Sequence, residues 1–112
     1  MLQFEEMKLA LQELEPALKD LAEALGLKSM REEIAKLDEK AAQPGFWDDM
    51  SNSQKVLQRS SMLKNKAAAY ERLKNAYGDT FALIELADEE GDLSLLPEAQ
   101  EEFKKFQDEL EA

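Results

Sequence analysis

The chain has no cysteine and no histidine. Disulfides are therefore impossible, and a reducing compartment is compatible. The thiolate nucleophile, the commonest transition-metal ligands and the usual general base near neutral pH are missing together. The four glycines, Gly26, Gly45, Gly78 and Gly91, stand far apart, so none belongs to a phosphate-cradling loop. No apolar run approaches the roughly 20 residues that span a bilayer, and the start Met1-Leu2-Gln3-Phe4-Glu5-Glu6 is acidic where a signal peptide is positive. A cytoplasmic protein with no membrane association is expected. Serine is the only ordinary nucleophile left, and it lacks a conventional base. The chain is thus expected to be no enzyme, with no cofactor and no metal.

What is present in quantity is charge. Of 112 residues, 25 are Asp or Glu and 14 are Lys or Arg, giving a formal net charge of −11. That balance opposes wrapping of a nucleic-acid backbone, since phosphate contacts need cations. The distribution is uneven. Between Ser51 and Ala76 the cations are Lys55, Arg59, Lys64, Lys66, Arg72 and Lys74 against the single acid Glu71, a local +5 that leaves −16 for the remainder.

Apolar spacing predicts an all-α fold of antiparallel helical hairpins, a small bundle with coiled-coil-like packing in one domain over 1–112. Helices are expected at roughly 2–25, 29–43, 49–89 and 94–111. In the first, Phe4, Met7, Leu11, Leu14, Leu18, Leu21 and Leu25 alternate steps of three and four, which draws one stripe along a helix. Pro16 removes an amide donor and crowds the Gln12 carbonyl, so a kink or short break is expected there. Gly26 stops this helix. Ser29 and Glu32 have capping-box spacing for the second, whose buried face is Met30, Ile34, Leu37 and Ala41 and whose end is Gln43 before Pro44-Gly45.

The third segment repeats Val56, Leu63, Tyr70, Tyr77 and Ile84 every seven residues, with Ala67 and Phe81 on the same side. Asp48, Asp49 and Ser51 are its candidate caps, and Gly78 is a candidate bend. The Ile34–Leu37 face and the first stripe are both expected to pack on this helix. After the turn Asp88-Glu89-Glu90-Gly91-Asp92, the last helix carries Leu96, Ala99, Phe103, Phe106 and Leu110, with Pro97 in its first turn. Its stripe is still in phase at Ala112, so continuation into a longer protein is expected.

The run Leu37-Asp38-Glu39-Lys40-Ala41-Ala42-Gln43-Pro44-Gly45-Phe46-Trp47-Asp48-Asp49, followed by a Gln-Lys-Val-Leu helix, resembles the N-terminal domain of the bacterial peptide chain release factor 2 family. The likeness continues through Leu83-Ile84-Glu85-Leu86-Ala87, the acidic turn and the closing Glu/Lys/Leu helix. It covers essentially the whole chain, and the Gln43-Pro44 and Phe46-Trp47-Asp48-Asp49 elements carry most of its specificity. The resemblance implies a part of a translation termination factor that, at full length, directs peptide release at UAA and UGA on the ribosome. It also implies a domain leaning toward the stalk base. The family's Gly-Gly-Gln hydrolytic loop and Ser-Pro-Phe codon reader are absent from these 112 residues. A docking and orienting role is therefore expected. The rival from another class is a free-standing coiled-coil adaptor or chaperone-like protein.

Candidate contact residues are Lys55, Arg59, Lys66, Phe46 and Trp47. The three cations share a narrow arc beside the Val56-Leu63-Tyr70 stripe. They read either as a weak ribosomal RNA contact or as charges that neutralise the acidic first and last segments or merely face solvent, and the internal or solvated reading is preferred. Phe46-Trp47 reads either as a partner anchor or as a plug at the bundle end, with the plug preferred. Asp48-Asp49 reads as capping, and the Asp88–Asp92 turn as solvated, because the ligand order of a calcium loop is missing. Homodimers of the isolated domain are expected through apolar surface left on the last helix.

Overall fold

The computed structural model describes residues 1–112. Five α-helices make up the chain: α1 Leu2–Gln12, α2 Glu15–Leu25, α3 Leu27–Ala41, α4 Met50–Glu90 and α5 Leu96–Glu111, with single 3-10 turns at Phe46–Asp48 and Leu93–Leu95. The all-α expectation holds. The chain divides into two compact units, one of residues 1–21 with 71–112 and one of residues 22–70.

The break expected at Pro16 is present and divides the first segment into α1 and α2. Pro16 leaves the Gln12 carbonyl without its partner, and the chain crosses Glu13–Leu14 with tighter bonds from Leu14 N–H to Leu11 O (3.0 Å) and Ala17 N–H to Leu14 O (3.1 Å). The helix expected from Ser29 starts at Leu27. Gly26 adopts a left-handed conformation (φ 63°), so the chain re-enters a helix at once, without a side-chain cap. Ser29 lies in the first turn of α3 and makes no capping bond. This helix stops at Ala41, ahead of the expected Gln43, because Pro44 drives its predecessor out of the helical region.

In the unit of residues 1–21 and 71–112, the first stripe does what its spacing predicts. Phe4, Leu11 and Leu18 are buried in one cluster with Leu73, Ile84 and Ala87 of α4 and Ala99 and Phe106 of α5. Polar pairs fix the direction. The Met1 amino group bonds Asp88, Lys8 Nζ lies 3.5 Å from Glu85, and the Tyr77 hydroxyl donates to Glu15 at 3.4 Å. Numbers rise on one strand of contacts as they fall on the other, so α1–α2 runs antiparallel to α4. Tyr77 meets Phe106 edge-on at 5.7 Å, tying α5 to the same stretch.

In the unit of residues 22–70, α3 lies along the first half of α4. Leu27 and Met30 are buried, Ile34 and Leu37 half-buried, and α4 supplies Ser53, Val56, Ser60 and Leu63. The buried positions of α4 step three and four through 53, 56, 60 and 63, then resume as Leu73, Thr80, Ile84 and Ala87. Ile84 keeps the seven-residue repeat of Val56 and Leu63, while Leu73, Thr80 and Ala87 make a second buried row beside it. Helical pairing runs unbroken through Gly78.

Candidate functional site

The Gln43–Asp49 loop is built from three local decisions. Pro44 ends α3, and Gly45 turns the chain in a left-handed conformation (φ 80°) that a side chain would strain. The 3-10 turn Phe46–Asp48 then sends its two rings different ways. Phe46 is 8% exposed and Trp47 is 59% exposed, with the rings edge-to-face at 5.2 Å. The two readings of this pair therefore divide between its members: Phe46 is the plug, and Trp47 stands in solvent.

The start of α4 locks the loop. Asp49 is the cap, its Oδ1 accepting the Asn52 amide at 3.2 Å. The buried Ser53 hydroxyl is shared between the carbonyl oxygens of Phe46 and Asp49, the latter at 2.9 Å. A serine in an apolar seam is thus satisfied, as is every other buried polar side-chain atom.

Farther along α4 the cations separate into two groups. Arg59 forms a two-pronged pair with Glu33 of α3, Nε to Oε2 at 2.6 Å and Nη2 to Oε1 at 3.1 Å. Lys64 Nζ bonds Asp38 at 2.8 Å, and the Ser60 hydroxyl donates to the same carboxylate at 3.3 Å. Hydrogen bonding to Arg59 holds the Glu33 carboxyl below its ordinary range, and the Lys64 bond does the same for Asp38, against a smaller opposing effect of desolvation. Arg59 is correspondingly raised by Glu33. Lys55 and Lys66 are exposed and enter no ion pair. Sequence reasoning grouped Lys55, Arg59 and Lys66 by helical arc. It missed Lys64, whose acidic partner lies 26 residues away.

The acidic turn is accounted for locally. Asp88 holds the Met1 amino group, and Asp92 accepts from Ser94 through both its amide (2.9 Å) and its hydroxyl (2.6 Å), which lowers its carboxyl pKa. No three acidic groups converge as metal ligands would. A shallow groove of about 410 Å³ lies between α1 and α5, walled by Met7, Ala10, Leu96 and Phe103. Another of about 740 Å³ lies at the α2–α3 joint around Gly26, Leu27 and Ala35. Neither pairs a nucleophile with a base. No helix is long and apolar enough to cross a membrane.

Residues 30–112 match the PCRF domain family model. Among curated relatives, the peptide chain release factor 2 of Lactiplantibacillus plantarum is 31% identical over 106 residues, covering 95% of this chain and 28% of the relative. That of Saccharopolyspora erythraea is 34% identical over 102 residues, 91% of this chain and 28% of the relative. That of Staphylococcus epidermidis is 28% identical, with 98% and 30% covered. No solved structure matches. The chain spans about 28% of the length of the first two relatives. The loop resemblance is borne out, and with the family model covering α4, α5, the Phe46-Trp47 loop and most of α3, this chain belongs to the PCRF domain family.

Proposed function

We propose that the chain is the ribosome-docking domain of a peptide chain release factor 2, acting in the cytoplasm. It braces and orients the factor near the stalk base, while segments outside these 112 residues read UAA or UGA and hydrolyse the ester. The observation that carries this reading is the family match over residues 30–112, combined with relatives of which this chain spans under a third. Asp49 and Asp92 cap helical turns and Glu33, Asp38, Glu85 and Asp88 hold cations, uses that support a structural role for the domain. Family membership weighs against a free-standing adaptor.

The proposed contact face is the loop and the first half of α4. Trp47 is its exposed aromatic, held from beneath by Phe46, and Lys55 and Lys66 are its unpaired cations, with Arg59 beside them held by Glu33. The experiment uses ribosomes paused at UAA or UGA with a radiolabelled peptidyl-tRNA. The chain should cosediment with them and release no peptide. Stop-codon-dependent release by the chain alone, or no binding at low salt, would overturn the proposal.

A further inference from the structure

We infer that the outward face of α4 between Met50 and Tyr70 is an RNA-binding face, with Lys55 and Lys66 set against phosphates. The inference rests on the ribosome-docking reading and names the chemistry that this face meets.

The charge map carries it. In a chain with 25 acids, none falls between Met50 and Tyr70. The unit of residues 22–70 holds eight Lys or Arg and seven Asp or Glu, while the rest of the chain holds six and eighteen. Repulsion of a polyanion is therefore concentrated outside this unit. Within it, the α3 carboxylates Glu33 and Asp38 are taken by Arg59 and Lys64. Those two cations flank the seam, and their charge is spent internally. Lys55 and Lys66 keep theirs.

Helical geometry aligns what remains. Lys55 and Lys66 are eleven residues apart, which puts them within about 20° of one another around the axis and about 16 Å apart along it. Two separate phosphates fit that reach. On the adjoining arc are Ser51, Gln58, Met62 and Asn65, all exposed. Hydroxyl and amide donors beside cations match what phosphate and ribose oxygens accept. Asp48 and Asp49 bound the tract at its start and repel phosphate from the Trp47 end. A basic protein would find no carboxylate on this face. An acidic protein surface is the competing occupant, and the test includes it.

The probe is a fluorescein-labelled single-stranded oligoadenylate read by anisotropy with the 112-residue chain, between 50 and 200 mM salt. Each phosphate neutralised by a lysine gives up its condensed counterion and contributes about 0.7 to the slope of log K against log salt for single strands. The double substitution Lys55→Gln with Lys66→Gln should make that slope shallower by about 1.4, with the melting curve unchanged. Arg59→Gln with Lys64→Gln should lower the melting temperature and leave the slope alone. A slope untouched by the Lys55 and Lys66 changes would overturn the inference. So would poly-L-glutamate competing as well as RNA at equal charge. Loss of lysine-dependent RNA binding with ribosome cosedimentation intact would sink this inference only. Lysine-dependent RNA binding without cosedimentation would sink the docking reading only.

Discussion

Phe46 and Trp47 are neighbours in sequence with opposite surroundings, and their truncation separates packing from display. Phe46 is 8% exposed, so Phe46→Ala removes a buried ring and leaves a void under the loop. Such changes cost about 3–5 kcal/mol. Trp47 is 59% exposed and contributes chiefly its edge contact with Phe46. Aromatic pairs are worth about 0.5–1.5 kcal/mol beyond burial, so Trp47→Ala should cost about 1 kcal/mol. The edge contact is lost in both variants, which makes the difference of about 2–4 kcal/mol a measure of Phe46 burial alone. The assay is urea unfolding followed by far-ultraviolet circular dichroism, with Trp47 fluorescence reporting the loop in the Phe46 variant. Since small domains have only about 5–15 kcal/mol in hand, Phe46→Leu serves as a milder partner. Equal losses for Phe46→Ala and Trp47→Ala would refute the assignment of plug and exposed ring.

Leu63, 4% exposed in the α3–α4 seam, should lose about 2–5 kcal/mol on substitution by alanine; a change below about 0.5 kcal/mol in urea unfolding would mean the seam is misplaced. Glu33 and Asp38 have lowered pKa values, so their pairs contribute stability above the ordinary carboxylate range that disappears as pH falls through the folded values. Thermal melts from pH 5 to pH 2 should therefore show a smaller acid-induced drop for Glu33→Gln with Asp38→Asn than for the parent, and identical slopes would sink that linkage. Apolar residues left in solvent, among them Leu2, Leu9, Leu86 and Leu93, should drive concentration-dependent association of the isolated chain. Sedimentation as a monomer across a wide concentration range would count against it.

Most of the fold was legible where apolar residues kept a strict period. Phe4, Leu11 and Leu18, and likewise Ala99 and Phe106, are buried on the faces their spacing defined. The first half of α4 was harder, because Ser53 and Ser60 hold seam positions that a hydrophobic count passes over. The Ser53 hydroxyl is satisfied locally by the Phe46 and Asp49 carbonyls and that of Ser60 by Asp38 across the hairpin, partners that an apolar pattern does not register. The stripe extrapolated from Val56 and Leu63 reaches Ile84, which is fully buried, but Leu73, Thr80 and Ala87 form a second buried row beside it that a single seven-residue repeat does not include. Thr80 completes that face by bonding back to the Ala76 carbonyl at 2.7 Å.

The candidate site was legible as a loop but not as a geometry. Gln43-Pro44 and Phe46-Trp47-Asp48-Asp49 identified the family, yet which ring turns outward depends on one 3-10 turn after a left-handed glycine. Asp49 as the cap was within reach of spacing rules. The division of the cations was not, since it is decided by which lysines and arginines face Glu33 and Asp38 across the hairpin.

Competition for the ribosome tests the docking account most directly. A full-length release factor 2 at limiting concentration is mixed with stop-codon-paused ribosomes, and the 112-residue chain is added in increasing excess. If the chain is the docking domain, it occupies the site, supplies no hydrolytic loop and lowers the rate of peptide release in a dose-dependent way. Substituting Lys55 and Lys66 by glutamate should weaken the inhibition with the melting curve unchanged. A release rate unchanged at saturating excess, or raised by the chain on its own, would contradict the account.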